Sequence, residues 1–152
     1  MKFLKTKIFL LFLCISPILH AELSTEDKKK FGNYLTPVSV HSKQEYDYVK
    51  VLFISLKLRD LVKVFPKNNE TEAQKILRAR DICKSLGVTY SEIDFIKLNS
   101  KFQKPADLET INSNMSHIDT FTNKMNLSPD TCKNITELIS TNPERFIAAY
   151  SE

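Results

Sequence analysis

The chain has 152 residues, of which 42% are hydrophobic and only two are glycine, and its formal net charge is +4. This length suits one domain with a substantial core. So few glycines exclude a meandering β-fold, because tight hairpins draw heavily on glycine.

Residues 1–21 have the pattern of a signal peptide. A lysine-containing start precedes an apolar stretch from Ile8 to Ile15, which is too short to cross a bilayer, and the small Ala21 marks the predicted cleavage site. Two alternatives are an uncleaved anchor and a lipoprotein modified at Cys14. The anchor is opposed by the short span, and lipidation is opposed by the bulky Leu13 before the cysteine.

The predicted mature chain, residues 22–152, is nearly neutral. The leader contains three lysines and no acid, so its removal leaves 19 basic against 18 acidic residues. Nucleic acids and anionic membranes select a clear cationic surplus, so neither is expected as the main partner. The basic run Lys28–Lys30 is typical of a solvated helix face. With no later membrane span in the sequence, we expect a soluble secreted protein, extracellular or, in a bacterium, periplasmic.

Two cysteines remain after the leader, Cys83 and Cys132. An even number of cysteines in an oxidising compartment predicts one disulfide bond. The alternatives are two buried free thiols or a reactive pair, for which the CxxC spacing is lacking. One bridge in a chain of this length would hold together a packed core.

The first two predicted helices are Ser24–Leu35 and Ser42–Phe65. The second is the densest apolar run after the leader, begins with a Ser42/Glu45 capping box and stops before Pro66, so we predict that it is the central helix. Four of its apolar residues recur at spacings of three and four, which places them on one face: Tyr46, Val49, Phe53 and Leu56.

The apolar pattern changes in the second half of this helix. Lys50 and Lys57 share a polar side, but Arg59 and Lys63 fall on what had been the apolar side. The pattern therefore predicts a bend or break between Ser55 and Asp60. Residues 56–59 also alternate as a strand would, although the run contains no turn residue to form a hairpin.

Further helices are predicted at Glu70–Leu86, with Gly87 as a left-handed terminator, and from a Thr89/Glu92 capping box to Phe102. After Pro105, apolar residues follow each other at spacings of three and four from Leu108 to Met125. Ser128 with Pro129, and Asn142 with Pro143, start the last two helices. The sequence thus predicts an all-α fold: a compact bundle of about six or seven helices in a single domain, residues 22–152.

The sequence shows no catalytic or metal-binding constellation. His41 and His117 are the two histidines after the leader, and His117 lies two residues from Asp119, which is the wrong spacing for an acid–base pair on one helix. No metal-ligand cluster, GxSxG, HExxH or phosphate-binding loop is present. We therefore expect a protein that is not an enzyme and has no cofactor.

Four Asn-x-Ser/Thr sequons are present, slightly more than chance provides. In a eukaryotic protein, Asn69, Asn114 and Asn134 are candidate N-glycosylation sites, with Asn69 favoured because it lies in a polar turn. Asn126 is a weaker candidate because a predicted helix begins close behind it. In a bacterial protein the sequons carry no meaning.

These features favour a secreted, non-enzymatic protein-interaction domain of the inhibitor, immunity-protein or ligand and effector type. The alternative is a carrier of a small apolar ligand in a cavity of the bundle. Five residues are candidates for lining such a cavity: Phe53, Phe95, Phe102, Met115 and Phe121. A third possibility, a small hydrolase, would require His41 or His117 to be catalytic.

Overall fold

The computed structural model describes residues 22–61, 66 and 68–150, and within them the chain is all-helical with no strand. Six α-helices follow one another: α1 (Thr25–Lys30), α2 (Lys43–Leu61), α3 (Glu72–Leu98), α4 (Pro105–Met125), α5 (Pro129–Thr141) and α6 (Pro143–Tyr150), with a 3-10 turn at Ser100–Phe102. The predicted all-α fold is confirmed. The predicted leader and residues 62–65 of the predicted second helix lie outside the described residues.

The centre of the fold is α3, which packs against each of the other five helices in the described part of the chain. The prediction that the second helix is central is therefore wrong. Every residue from Ser85 to Ile93 is buried, so α3 is enclosed on all sides over two turns. Two of its buried hydroxyls bond within the helix: Thr89 donates to the carbonyl of Ser85 and Ser91 to that of Gly87, each at 2.8 Å.

The predicted break between Gly87 and Thr89 is also wrong, because α3 continues through both residues to Leu98. Gly87 serves a different purpose, since the backbone of residues 32–34 crosses the helix there. A Cβ atom at position 87 would overlap the carbonyl oxygen of Gly32 and lie 3.0 Å from the Tyr34 nitrogen. Glycine is thus needed for close approach and not for chain reversal.

The first helix is shorter than predicted. It ends at Lys30, and Gly32 and Asn33 follow with φ angles of 77° and 51°. These left-handed conformations turn the chain toward α3. The Leu35 backbone N–H then donates to Ser91 Oγ at 2.7 Å, which fixes the crossing segment on the central helix.

The predicted disulfide is present between Cys83 in α3 and Cys132 in α5, with a Cα–Cα distance of 5.7 Å. Both cysteines belong to a core group drawn from α3, α4, α5 and the turns beside them: Phe31, Ile82, Cys83, Leu86, Tyr90, Ile93, Ile118, Leu127 and Cys132. A second group joins α2 to the other side of α3: Val40, Tyr46, Phe53, Val88, Phe95 and Ile96. Closing a loop of about 50 residues stabilises the fold by about 4 kcal/mol in the chain-entropy account.

The second half of the chain follows the predicted boundaries closely. Helix α4 ends at Met125, and the C-cap residue Asn126 is left-handed with a φ of 52°. Ser128 then caps α5 by accepting the Thr131 N–H at 3.1 Å, and Pro129 occupies the first turn. None of the helices in the described ranges has the length and apolar character required to cross a membrane.

The close approach at Gly87 can be tested by comparing two glycines. Gly87→Ala should lower the free energy of unfolding by about 3 kcal/mol, because the crossing backbone must move. Gly32→Ala has space for its methyl group but a strained φ angle, and should cost about 1 kcal/mol. Urea unfolding measures both, and an equal or reversed order would contradict the packing at Gly87.

Candidate functional site on helix α2

A fully buried carboxylate on α4, Asp107, receives an inward-facing lysine of α2. Its side chain is 0% exposed and accepts hydrogen bonds from the Tyr46 hydroxyl at 2.8 Å and from the Lys104 backbone N–H at 2.7 Å. The ammonium of Lys50 forms an ion pair with the same carboxylate. Because a buried charge requires such compensation, Asp107 holds Lys50 on the inner side of α2.

A second buried carboxylate acts in the same way two turns along α2. Glu92 of α3 is 1% exposed and is paired with the ammonium of Lys57. The Asn114 side-chain amide nitrogen donates to Glu92 at 2.6 Å, and Lys57 also donates to the side-chain oxygen Oδ1 of Asn114 at 3.3 Å. Residues seven apart lie on the same side of a helix, so Lys50 and Lys57 fix its rotation together.

Aromatic packing occupies the rest of the inner side of α2. Tyr46 stacks on Phe95 with ring centroids 5.4 Å apart, and Phe53 contacts the same ring at 5.7 Å. Burial raises the pKa of Tyr46, and the negative charges of Asp47 and Glu92 act in the same direction. Tyr46 therefore remains the protonated donor that Asp107 requires at neutral pH.

The outer face of α2 is apolar as well. Five large side chains of this helix are between 43% and 66% exposed: Tyr48, Val51, Leu52, Ile54 and Leu58. With Ser55 among them, they span about 160° of the circumference at 100° per residue. None of the six is charged, and the charged residues Asp47 and Arg59 lie within the same arc. We call these six residues the outer face.

The two-sided character of α2 explains why sequence reasoning misjudged it. The change in apolar pattern suggested a break between Ser55 and Asp60, but α2 is one continuous helix from Lys43 to Leu61, so the predicted break is wrong. Apolar residues lie on both sides of α2, but only the inner side packs against the rest of the protein. The available signal was the lysine pair itself, since Lys50 and Lys57 lie on the same side as Tyr46 and Phe53.

The two histidines lie in different environments. His41 is exposed just before α2, whereas His117 of α4 is half-buried and contacts the Phe121 ring edge-on, with ring centroids 4.6 Å apart. Burial lowers the pKa of His117, and the positive charge of Lys57 lowers it further. His117 lines a cleft of about 220 Å³ beside the outer face, together with Ile54 and Leu58.

The described residues contain no group of three or more His, Cys, Asp or Glu side chains arranged to hold a metal ion. Glu92, the buried acid beside the His117 cleft, is already bonded to Lys57 and Asn114.

The five candidate cavity residues do not come together around one cavity. Phe53 and Phe95 belong to the core group beneath α2, and Phe102 packs against that group. Met115 and Phe121 pack against the other core group. Of the five, only Met115 lines the larger cleft of the described structure, which has a volume of about 480 Å³.

The candidate glycosylation sites differ in accessibility. Asn69 lies exposed in a turn with a φ of 64°, and Asn134 is exposed on α5. Asn114 is buried, and its amide nitrogen is bonded to Glu92. A glycan requires surface exposure of its asparagine, so the folded chain does not offer Asn114 as an acceptor.

Comparison with protein-family models, with curated proteins and with solved structures found no match to this chain. Functional inference therefore rests on the residues of this protein alone.

The Lys57–Glu92 pair can be tested with a double-mutant cycle. Lys57→Met leaves a buried carboxylate without its counter-charge and should lower the free energy of unfolding by about 3 kcal/mol. Adding Glu92→Leu should restore part of this loss, because no charge then remains buried. Lys133→Met, which removes an exposed pair with Glu137, is the control and should cost less than about 0.5 kcal/mol. Additive losses from Lys57→Met and Glu92→Leu would contradict the coupling.

His117 should make stability depend on pH. Its pKa is lower in the folded than in the unfolded chain, so the unfolded chain binds the proton more tightly and acidification favours unfolding. The stability that is present above the ordinary histidine pKa of 6.5 should fall as the pH is lowered through 6.5 toward the lower pKa of the folded chain. His117→Gln should reduce this slope in urea titrations at each pH, whereas His41→Gln should retain it. A wild-type slope in the His117→Gln protein would show that another group is responsible.

Proposed function

We propose that this protein is a secreted, non-enzymatic interaction domain that binds another protein through the outer face of α2. The observation that carries this proposal is the exposure of five large apolar side chains on one side of α2. Contiguous exposed apolar surface of this kind marks interaction sites on soluble proteins. The signal-peptide pattern of residues 1–21 supports export, and the disulfide is compatible with an oxidising compartment.

The partner that fits this surface is a protein with an apolar groove. Helix α2 is about 28 Å long at 1.5 Å per residue, and its outer face is convex. A groove can enclose such a face and contact residues around the whole arc, as in helix-in-groove recognition. A second copy would pack helix against helix along one line of contact, and would leave part of the outer face exposed.

The inner side of α2 makes the outer face suitable for binding. The Lys50–Asp107 and Lys57–Glu92 pairs, with the aromatic packing around Phe95, hold the helix before any partner arrives. Preorganisation of this kind reduces the entropy lost on association. A rigid helix presented to a groove suits an inhibitor, an immunity-type protein or a secreted ligand or effector.

The proposal can be tested with a photo-crosslinking amino acid in place of Ser55, at the middle of the outer face. We expect a crosslink to one protein from the secreted fraction, which mass spectrometry then identifies and localises to a groove. Leu52→Gln with Leu58→Gln should weaken binding of the identified partner at least tenfold. The matched control is Leu108→Gln with Ile147→Gln, which removes exposed apolar residues elsewhere and should leave binding unchanged.

Three results would overturn this assignment. Equal binding by both double variants would place the interface elsewhere. A dimer in sedimentation experiments that Leu52→Gln with Leu58→Gln dissociates would identify a second copy as the occupant. Binding of neutral phospholipid vesicles that the same substitutions abolish would identify a membrane surface.

A further inference from the structure

The cleft of about 480 Å³ lies where α1, α3 and α4 meet the turn between α4 and α5. Its volume falls within the range of about 300–1,000 Å³ that is typical of small-molecule sites. The apolar part of its wall includes Phe31, Tyr90, Ile93, Met115, Ile118 and Leu127. No residue of α2 lines this cleft, so it is separate from the outer face.

Tyr90 carries a buried hydroxyl group without a partner. Its side chain packs on Phe31 with ring centroids 5.3 Å apart and lies beneath the Lys28 ammonium, and the residue is only 9% exposed. Its hydroxyl makes no hydrogen bond within residues 22–61, 66 and 68–150. Buried polar groups in native proteins nearly always bond to a protein group or to water, so this hydroxyl is available to a ligand in the cleft.

The acids at the cleft are matched with one exception. Asp94 accepts from Lys28 at 2.9 Å and from the Tyr34 hydroxyl at 2.8 Å, while Glu22 accepts from Lys97 at 2.8 Å. The Asp119 carboxylate has no ion pair or hydrogen bond with any residue that the structure describes. It lies near enough to Tyr90 to act on it: burial, followed by the charges of Asp119 and Asp94, raises the Tyr90 pKa to about 12.

From this geometry we propose that the cleft binds a small molecule with an apolar, aromatic or branched body and a protonated primary amine. The body lies on the apolar wall beside Phe31 and Ile118. The ammonium binds Asp119 and donates a second hydrogen bond to the Tyr90 oxygen. An ammonium group has three N–H donors and no acceptor. It therefore matches the Asp119 carboxylate and the Tyr90 oxygen, neither of which accepts a hydrogen bond from a described residue.

Other ligand classes fit less well. The lining contains three acids, Glu22, Asp94 and Asp119, against two lysines, and both lysines are already paired. An anionic ligand would therefore meet uncompensated negative charge. A neutral apolar ligand would cover Asp119 and leave it without a counter-charge, which is unfavourable. The carrier cavity predicted from the sequence included neither Tyr90 nor Asp119. This site therefore differs from it in ligand chemistry as well as in position.

Three probes of matched shape test the proposal: phenethylamine, 2-phenylethanol and phenylacetate. Titration of the purified 15N-labelled protein should show phenethylamine binding about tenfold more tightly than the alcohol, and phenylacetate binding least. Amide signals of Tyr90, Ile93, Ile118 and Leu127 should shift with the amine. Asp119→Asn should reduce amine affinity about tenfold and remove the preference over the alcohol, and Tyr90→Phe should cause a smaller loss.

Glu109→Gln is the control, because it removes one negative charge from the exposed side of the same helix outside the cleft. It should leave amine affinity unchanged, and the amide spectrum of each variant shows whether the fold is intact. The proposal is overturned by absence of amine binding at millimolar concentration, by equal affinity for amine and alcohol, or by unchanged affinity in Asp119→Asn. Amide shifts confined to residues outside the cleft would also overturn it. None of these outcomes depends on whether α2 binds a protein.

Discussion

The arrangement of α2 depends on two carboxylates that are withdrawn from solvent. Asp107 and Glu92 are 0% and 1% exposed, and a charge so deeply buried must be neutralised where it lies. Lys50 and Lys57 supply that neutralisation from one side of α2. The ion pairs therefore determine which side of the helix faces the protein, and the five apolar residues of the outer face are left to face solvent. Buried pairs contribute less to net stability than to selecting one arrangement over another, and here that selection creates the outer face.

The central position of α3 follows from small residues and self-contained polar groups. Thr89 and Ser91 can be buried because their hydroxyls bond to carbonyls or amides nearby, and Gly87 permits the backbone of residues 32–34 to touch the helix. A helix built in this way can be surrounded on all sides. Its neighbours can then be partly polar, which is why α2 and α4 carry charges toward the interior.

Local signals in the sequence were sufficient for the fold class and for several helix ends. Ser128 with Pro129 started α5 as predicted, and Ser42 caps α2 by accepting the Glu45 N–H at 3.2 Å. The cysteine count was sufficient for the disulfide. These features depend on residues close in sequence or on a single possible pairing.

Features that depend on tertiary contacts could not be predicted. A glycine that ends a helix and a glycine that admits a crossing backbone look the same in sequence, so Gly87 was misassigned. Lys57 pairs with a carboxylate 35 residues away, which no spacing rule identifies. Tyr90 and Asp119 lie on different helices, and only the packing of α3 against α4 brings them to one cleft.

The disulfide has a consequence for how long the folded protein persists. Both sulfur-bearing residues are 0% exposed in the core between α3 and α5. Thiol–disulfide exchange requires direct attack on a sulfur atom, so a small reductant cannot reach this bond until the core opens. Its lifetime in a reducing medium is therefore set by the rate at which the helices separate, and a molecule exposed to glutathione keeps its bridge for as long as it stays closed.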